Sequence, residues 1–362
     1  HITLVGGQPI PVYLGIKNSK PERVIFICSR QSKDEAMRIA GEFDSTTDFE
    51  IFDPVDLAGI RNQVLGLLQE LEGQYVSINI SSGTKPWAYY FSQIFSNREN
   101  TEIFYVDQNN FVKNLKDFSQ QITDIGMDVR FRLHNNTLKR YKRLQDYDKA
   151  DFKAIERIKE LREFNFNEFN NLANEFSKYP NETSFESKKG SKLIWNSDER
   201  HITIRMNNKE GAVMNEVFDS PNARNLFLNT GWFELEVARL LSSWDKVKEI
   251  RINCVFPSQK NSPKNEIDII IDTGSKLLFV ECKTQIRKET DIDKFASAVK
   301  VYGGMGSKAL FVTDEEIKEN AAEKCRDNKI LTFSLKPCGG SQNCKKQLFQ
   351  LLDNELYNIN TK

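Results

Sequence analysis

The segment Asn265 to Lys283 constrains this chain more than any other. Ile267 to Ile271 and Leu277 to Val280 are apolar runs interrupted only by Asp268, and they flank Gly274-Ser275. A short loop opening on Gly is a favoured β-hairpin connection. Counting outward from that turn, or from a loop spanning Thr273 to Lys276, pairs Asp272 with Leu277, Asp268 with Glu281 and Glu266 with Lys283. Directly opposed Cβ atoms stand roughly 4.5 to 5.5 Å apart, so two carboxylates meet with no charge between them. The surrounding apolar residues bury both faces of the hairpin, and two uncompensated anions there are costly. A hard divalent cation resolves the conflict, and it can also activate water and neutralise charge on a phosphate. A solvated hairpin held by cross-strand ion pairs would instead alternate polar and apolar residues, which this one does not.

Glu281 is followed two residues on by Lys283, on the same face, where an ammonium can position a water or stabilise developing charge. A helix over Gly231 to Trp244 precedes the hairpin. At 100° per residue Phe233, Val237, Leu240, Leu241 and Trp244 form its apolar face, with Glu234 at the edge and Glu236 on the polar side. Glu234 is therefore the better inward-facing acid. The catalytic set expected is Glu234, Asp268, Glu281 and Lys283, with Glu234, Asp268 and Glu281 holding Mg2+ or Mn2+.

The organisation around this segment is α/β. Over residues 1–115, strands at Ile2 to Val5, Val24 to Ser29, Phe49 to Asp53, Tyr75 to Ile80 and Glu102 to Asp107 alternate with helices at Lys33 to Phe43, Val55 to Leu71 and Pro86 to Ser96. That alternation is the signature of a Rossmann-like parallel sheet covered by helices. Residues 116–225 are polar and Asn/Lys-rich and read as a helical connector, with helices at Phe152 to Phe164 and Phe166 to Phe176. A small hairpin of Lys192 to Trp195 with His201 to Met206 leaves room for a winged-helix-like insert. Residues 226–362 then run α-β-β-β-α-β-α-β, and the tail from Pro337 is read as a loop and one terminal helix.

The strand Tyr75 to Ile80 runs into Ser81-Ser82-Gly83-Thr84-Lys85-Pro86, where a helix begins. Unpaired N–H groups at a helix start, with small residues, a hydroxyl and a Lys, suit an anion such as phosphate. The loops Gly6-Gly7-Gln8-Pro9 and Ser29-Arg30-Gln31-Ser32 emerge from the same carboxyl edge of the sheet, where open α/β sheets bind ligands. Gly6-Gly7 lacks the G-x-G-x-x-G spacing, which argues against a dinucleotide dehydrogenase.

A helical acid, then Asp268, then Glu281-x-Lys283 on adjacent strands resembles the PD-(D/E)XK nuclease superfamily, although Ile267 stands where that pattern often has Pro. Together with the strand-Ser-Ser-Gly-Thr-Lys-helix element and the connector, nearly the whole chain resembles the CARF (CRISPR-associated Rossmann fold) nucleases of type III CRISPR systems. The resemblance implies an N-terminal CARF domain, a helical or winged connector and a C-terminal restriction-endonuclease-like domain. It implies a homodimer activated by cyclic oligoadenylate, cyclic tetra-adenylate by preference, and cleaving single-stranded RNA or DNA or nicking duplex DNA. Ser82, Gly83, Thr84 and Lys85 would hold ligand phosphate, with Gln8, Ser29 and Arg30 lining the pocket. Two other readings stay open: a ligand-sensing regulator without nuclease activity, and a ring nuclease that degrades its own cyclic activator.

Composition narrows the setting. Lys and Arg number 51 and Asp and Glu 51, so a nucleic-acid partner finds no support in bulk charge and any such site is local. The densest basic cluster is Arg130, Arg132, Lys139, Arg140, Lys142 and Arg143, interleaved with Phe131, His134 and Tyr141. Six cysteines form no CxxC pair, and Cys28, Cys254 and Cys282 fall in apolar strand-like runs, which argues against zinc and for a reducing cytoplasm. No apolar run is long enough to cross a membrane.

Overall fold

The computed structural model describes residues 1–178, 183–195, 200–228, 230–258, 265–286, 288–304, 306–336 and 341–358, with 176, 177, 228 and 341 described by backbone alone. Pro337 and Cys338, in the expected terminal loop, lie outside the described residues. The chain divides into two compact units: unit 1 is His1–Leu138 with Asp272–Leu277 and Val301–Ser307, and unit 2 is the remainder.

Unit 1 opens with β1 (Ile2–Leu4), α1 (Pro9–Ser19), β2 (Arg23–Cys28), α2 (Lys33–Ala40) and β3 (Thr46–Ile51). It continues through α3 (Leu57–Glu70), β4 (Val76–Asn79), α4 (Lys85–Phe95) and β5 (Thr101–Val106). β6 (Phe111–Asn114), β7 (Gln120–Ile122) and α5 (Met127–Leu133) follow. The sheet order is β3-β2-β1-β4-β5-β6-β7, parallel through β5 and antiparallel beyond it. Alternation along β2 explains the layers: Ile25 and Ile27 pack into one apolar cluster with α3 and α4, while Val24, Phe26 and Cys28 pack into another with α1 and α2. Helices therefore cover both faces, as a parallel sheet demands.

Helix α1 is absent from the sequence reading. Its residues Val12, Leu14, Gly15 and Ile16 are all buried, so it shows no polar stripe, and Pro9 marks only its start. Gly15 has a steric reason: a Cβ there would lie 2.2 Å from Asn79 Nδ2, whose amide donates to the Pro11 carbonyl at 2.9 Å.

Unit 2 begins with β8 (Arg140–Lys142), α6 (Lys149–Phe164) and α7 (Phe166–Lys178). β9 (Ser184–Glu186), β10 (Lys192–Trp195), β11 (His201–Asn207) and β12 (Val213–Asp219) come next. Helices α8 (Ala223–Leu228) and α9 (Gly231–Leu241) lead to β13 (Glu249–Val255), β14 (Glu266–Asp272) and β15 (Leu277–Lys283). The chain ends with α10 (Glu289–Tyr302), β16 (Lys308–Thr313), α11 (Glu319–Asp327), β17 (Ile330–Ser334) and α12 (Ser341–Tyr357). Where a small hairpin was expected, β9 and β12 widen it into an antiparallel sheet ordered β12-β11-β10-β9. The other sheet runs β17-β16-β15-β14-β13-β8, with β15, β16 and β17 parallel and β8 antiparallel to β13 at its edge. One large apolar cluster joins Leu235, Val237 and Leu241 of α9 to Ile269, Ile271, Leu278 and Val280 of the central strands. This packing sets Glu234 beside those strands.

Cys28, Cys254, Cys282, Cys325 and Cys344 are free and buried. Among the described residues no helix is long and apolar enough to cross a membrane.

Candidate active site

The hairpin closes as its sequence suggests. Thr273 N–H donates to the Lys276 carbonyl at 3.0 Å, Lys276 N–H returns to Thr273 Oγ1 at 3.1 Å, and Gly274 takes φ +88°. Counting back from that bond puts Asp268 across from Glu281. Asp268 is 6% exposed and Glu281 2%, so neither carboxylate has a water shell to spread its charge into. The protein supplies partial substitutes. Asp268 Oδ2 accepts the Cys282 N–H at 2.7 Å, and Lys283 Nζ lies 3.0 Å from Glu281 Oε1.

Glu234 comes from the first turn of α9 and stands half-buried on the same side. Burial pushes its carboxyl well above the usual carboxylate range, the charge of Asp268 adds to this, Lys283 opposes it, and Glu266 and Glu281 reinforce it. Burial works against the charge of Lys283, yet Asp268, Glu281 and Glu234 outweigh it and hold the ammonium well above its ordinary value. Lys283 is thus held protonated because more than one acid surrounds it. Glu236, two residues along α9, turns away to ion-pair with Arg239 at 2.7 Å and Lys159 at 3.2 Å.

These groups border a cleft of about 640 Å³, whose walls include Glu234, Glu266, Asp268 and Lys283. Arg140, Tyr141 and Lys142 of β8, with Asn225, Thr230 and Asn253, complete the lining. The last three were not singled out from sequence. Asn253 sits at a break in the β8–β13 register and has φ +53°, a bulge that re-aims a side chain and leaves no mark in a single sequence. Among the described residues no three His, Cys, Asp or Glu side chains are gathered closely enough to hold a metal ion on their own. Magnesium needs less, since it binds through one or two carboxylates and keeps several waters. Asp268 and Glu281 could supply such carboxylates, and Glu234 lines the cleft with Asp268.

In unit 1 the predicted anion residues gather at the carboxyl ends of β1, β2 and β4. Gly6 N–H donates to Ser82 Oγ at 3.0 Å, and a Cβ on Gly6 would lie 2.8 Å from Gly83 N. Gly83 takes φ +80°, and a Cβ there would come within 2.9 Å of both Leu4 Cβ and Trp87 Cε3. Thr84 caps α4 by accepting the Trp87 N–H at 3.4 Å, which leaves Lys85, at the helix start, exposed. Ser29 is engaged with Ser32: their hydroxyls are 3.2 Å apart, each hydroxyl accepts the other's N–H, and Ser32 Oγ donates to Val5 O. Gln8 and Arg30 are exposed in the neighbouring loops. Ser81, which opens the expected anion loop, and Asn79, at the end of β4, brace this edge: Ser81 Oγ donates to Asn79 Oδ1 and accepts the Val106 N–H at 2.6 Å.

A doubly wound sheet with small-residue loops at its switch point, joined in one chain to a mixed sheet that buries Asp268 and Glu281 beside a lysine, defines a CARF sensor coupled to an endonuclease domain. Residues 1–135 match the Card1 CARF domain family, and residues 221–334 match the Card1-like endonuclease domain family. The chain thus joins a Card1 CARF domain to a Card1-like endonuclease domain. No functionally curated protein matches it in sequence. Among solved structures it resembles Can2 from Sulfobacillus thermosulfidooxidans in complex with cyclic tetra-adenylate, with TM-score 0.68, 18% identity, and 98% of each chain covered. Protein VC1899 from Vibrio cholerae aligns with TM-score 0.73, 16% identity and 97% of each chain. A type III CRISPR defence DNA nuclease activated by cyclic oligoadenylate aligns with TM-score 0.54 and 16% identity, over 86% of this chain and 45% of that one. At these identities the structural likenesses speak to the fold.

Proposed function

We propose that this chain is a metal-dependent endonuclease of type III CRISPR defence, switched on by a cyclic oligoadenylate bound at the Gly6, Ser82–Lys85 edge of unit 1. The observation that carries the reading is the buried pair Asp268 and Glu281 with Lys283 3.0 Å from Glu281. Asp268 and Glu281, with Glu234, would hold Mg2+ or Mn2+, which supplies a polarised phosphoryl oxygen and an activated water when bound. Lys283 stays an ammonium at neutral pH, so it donates: it orients the attacking water and stabilises charge gathering on the phosphoryl oxygens. Low exposure on both strands strengthens these interactions relative to water.

The matched CARF domain, the cyclic tetra-adenylate bound in Can2 and the cyclic oligoadenylate that activates another neighbour support a cyclic oligoadenylate, the tetra-adenylate by preference, as the ligand. Gly83, Thr84 and Lys85 would take its phosphates, with Gln8, Ser29 and Arg30 around them. A homodimer belongs to this reading, because a cyclic ligand with repeated phosphates matches two copies of one loop set. The substrate is single-stranded RNA or DNA, with nicked duplex DNA as a further product.

The test is to incubate the full chain with labelled single-stranded RNA, single-stranded DNA and supercoiled plasmid, with and without Mn2+ and each cyclic oligoadenylate. Cleavage should require both additions and should fall by at least about 100-fold in Glu281→Gln and Asp268→Asn, as loss of a group acting on the transition state predicts. Undiminished cleavage in both variants would discard the site. Consumption of labelled activator by Glu281→Gln would favour a ring-degrading activity in unit 1 instead.

A further inference from the structure

Two cations on the rim of the acidic cleft are left over once the reaction has been described. Arg140 and Lys142 lie on β8, the edge strand, at alternate positions, and both line the cleft that contains Glu234 and Asp268. Two other basic residues of the cluster noted in the sequence face acids: Arg143 lies 3.9 Å from Glu249, and Arg132 pairs with Glu42 at 2.7 Å. Arg140 and Lys142 have no carboxylate partner among the described residues. Lys142 is nevertheless held in place. Its ammonium bonds Asn222 Oδ1 and sits 5.1 Å from the centre of the Tyr147 ring. Asn222 is fixed in turn by Asp151, which is fully buried and accepts both the Asn222 N–H at 3.1 Å and its side-chain amide at 2.8 Å. An amide oxygen orients a cation without cancelling its charge, so the ammonium keeps a full charge in a fixed place. Tyr141, between them, is anchored by the buried Arg251 guanidinium 4.1 Å from its ring centre.

We propose that Arg140 and Lys142 form a phosphate-binding subsite that holds the backbone of a single-stranded nucleic acid next to the bond being cut. Strands in a sheet lie about 4.8 Å apart, so β8 stands two spacings, roughly 10 Å, from β14 and Asp268. That separation places the cations on a phosphate neighbouring the reacting one. Two positive charges facing an acidic wall, that of Lys142 held in place, give the strand its register: the backbone is attracted to the β8 rim and repelled from the acids until a divalent cation is present. Recognition through phosphate is independent of base identity. The charge balance of the whole chain, zero by count, is consistent with so local a site.

This subsite rests on the endonuclease reading, and the experiment separates the two. Binding of labelled single-stranded DNA and RNA of one sequence is measured across salt concentrations in Glu281→Gln, alone and combined with Arg140→Gln/Lys142→Gln. Cleavage kinetics are measured in otherwise unaltered protein. Each phosphate contact to a single strand contributes about 0.7 to the slope of log affinity against log salt, so the double substitution should lower that slope by about 1.4. KM for cleavage should rise several-fold, with the effect carried by KM more than by kcat. Arg140→Lys/Lys142→Arg, which keeps both charges, should retain the slope and so rules out a folding defect. An unchanged slope and KM in an active double variant would overturn the subsite and leave the nuclease intact. Loss confined to RNA would overturn it as well, since it would point to the 2′-hydroxyl. Failure of the parent chain to bind or cut any strand would remove both readings together.

Discussion

Single residues carry most of the chemistry here, and their roles follow from what surrounds them. Asp268, Glu281 and Lys283 were legible because spacing from one turn fixed their register and because apolar neighbours forced their burial. Asn253 was not legible, since its left-handed backbone depends on a register break in β13. His134 illustrates how burial alone makes a residue pH-sensitive. It lies in unit 1 with Nε2 buried and unbonded, and a Cβ on Gly304 would fall 2.7 Å from its ring. Burial lowers its pKa from the ordinary 6.5, and the charges of Arg130 and Arg38 lower it further. The unfolded chain therefore takes up a proton near pH 6.5 that the folded chain refuses. Stability is complete above that value and declines as pH falls below it, by up to about 1.4 kcal/mol per unit, until the folded-state pKa is reached. Urea midpoints should fall more steeply between pH 7 and pH 5 in the parent protein than in His134→Gln. Parallel slopes in the two proteins would remove His134 as the cause.

At the level of elements, what stood out in the sequence was either an apolar run bounded by turn residues or a helix with one wet face. The hairpin of β14 and β15 and the strands β1, β2, β4 and β5 were visible as apolar runs between turn residues. α1 was hidden because it is buried nearly all round, and β9 and β12 because short, polar, mostly exposed strands look like connector. The loop between β4 and α4 shows how a small element can depend on one backbone conformation. Gly83 combines a positive φ with a close approach to Leu4 and Trp87, so Gly83→Ala meets both strain and a clash. The expected cost is about 1 to 3 kcal/mol of unit 1 stability, read from denaturant unfolding, together with weaker oligoadenylate binding. A variant that unfolds and binds like the parent would show that this turn tolerates a side chain.

Across the whole molecule, the compact units do not coincide with uninterrupted stretches of sequence. The reading from sequence placed boundaries near residues 115 and 225. By compactness, 139–225 group with unit 2, and Asp272–Leu277 and Val301–Ser307 with unit 1. In unit 1 the piece Asp272–Leu277 covers Arg130, which is 2% exposed, lies 3.6 Å from Asp272 Oδ1 and donates to the Gly274 carbonyl. A fragment ending at Leu138 should therefore unfold at lower denaturant concentration than unit 1 does in the full chain, and its Arg130 amide should exchange hydrogen faster. Equal protection in fragment and full chain would show the two pieces to be dispensable.

The turn at Gly274-Ser275 belongs to unit 1 while Asp268 and Glu281, a few residues back along its arms, belong to unit 2. Recombination that replaced one half of the gene wholesale would strand these inner pieces with a foreign partner. The two halves are thus expected to have drifted as a matched pair, each substitution around Arg130 answered by one near that turn, in contrast to proteins whose modules are exchanged like beads on a string.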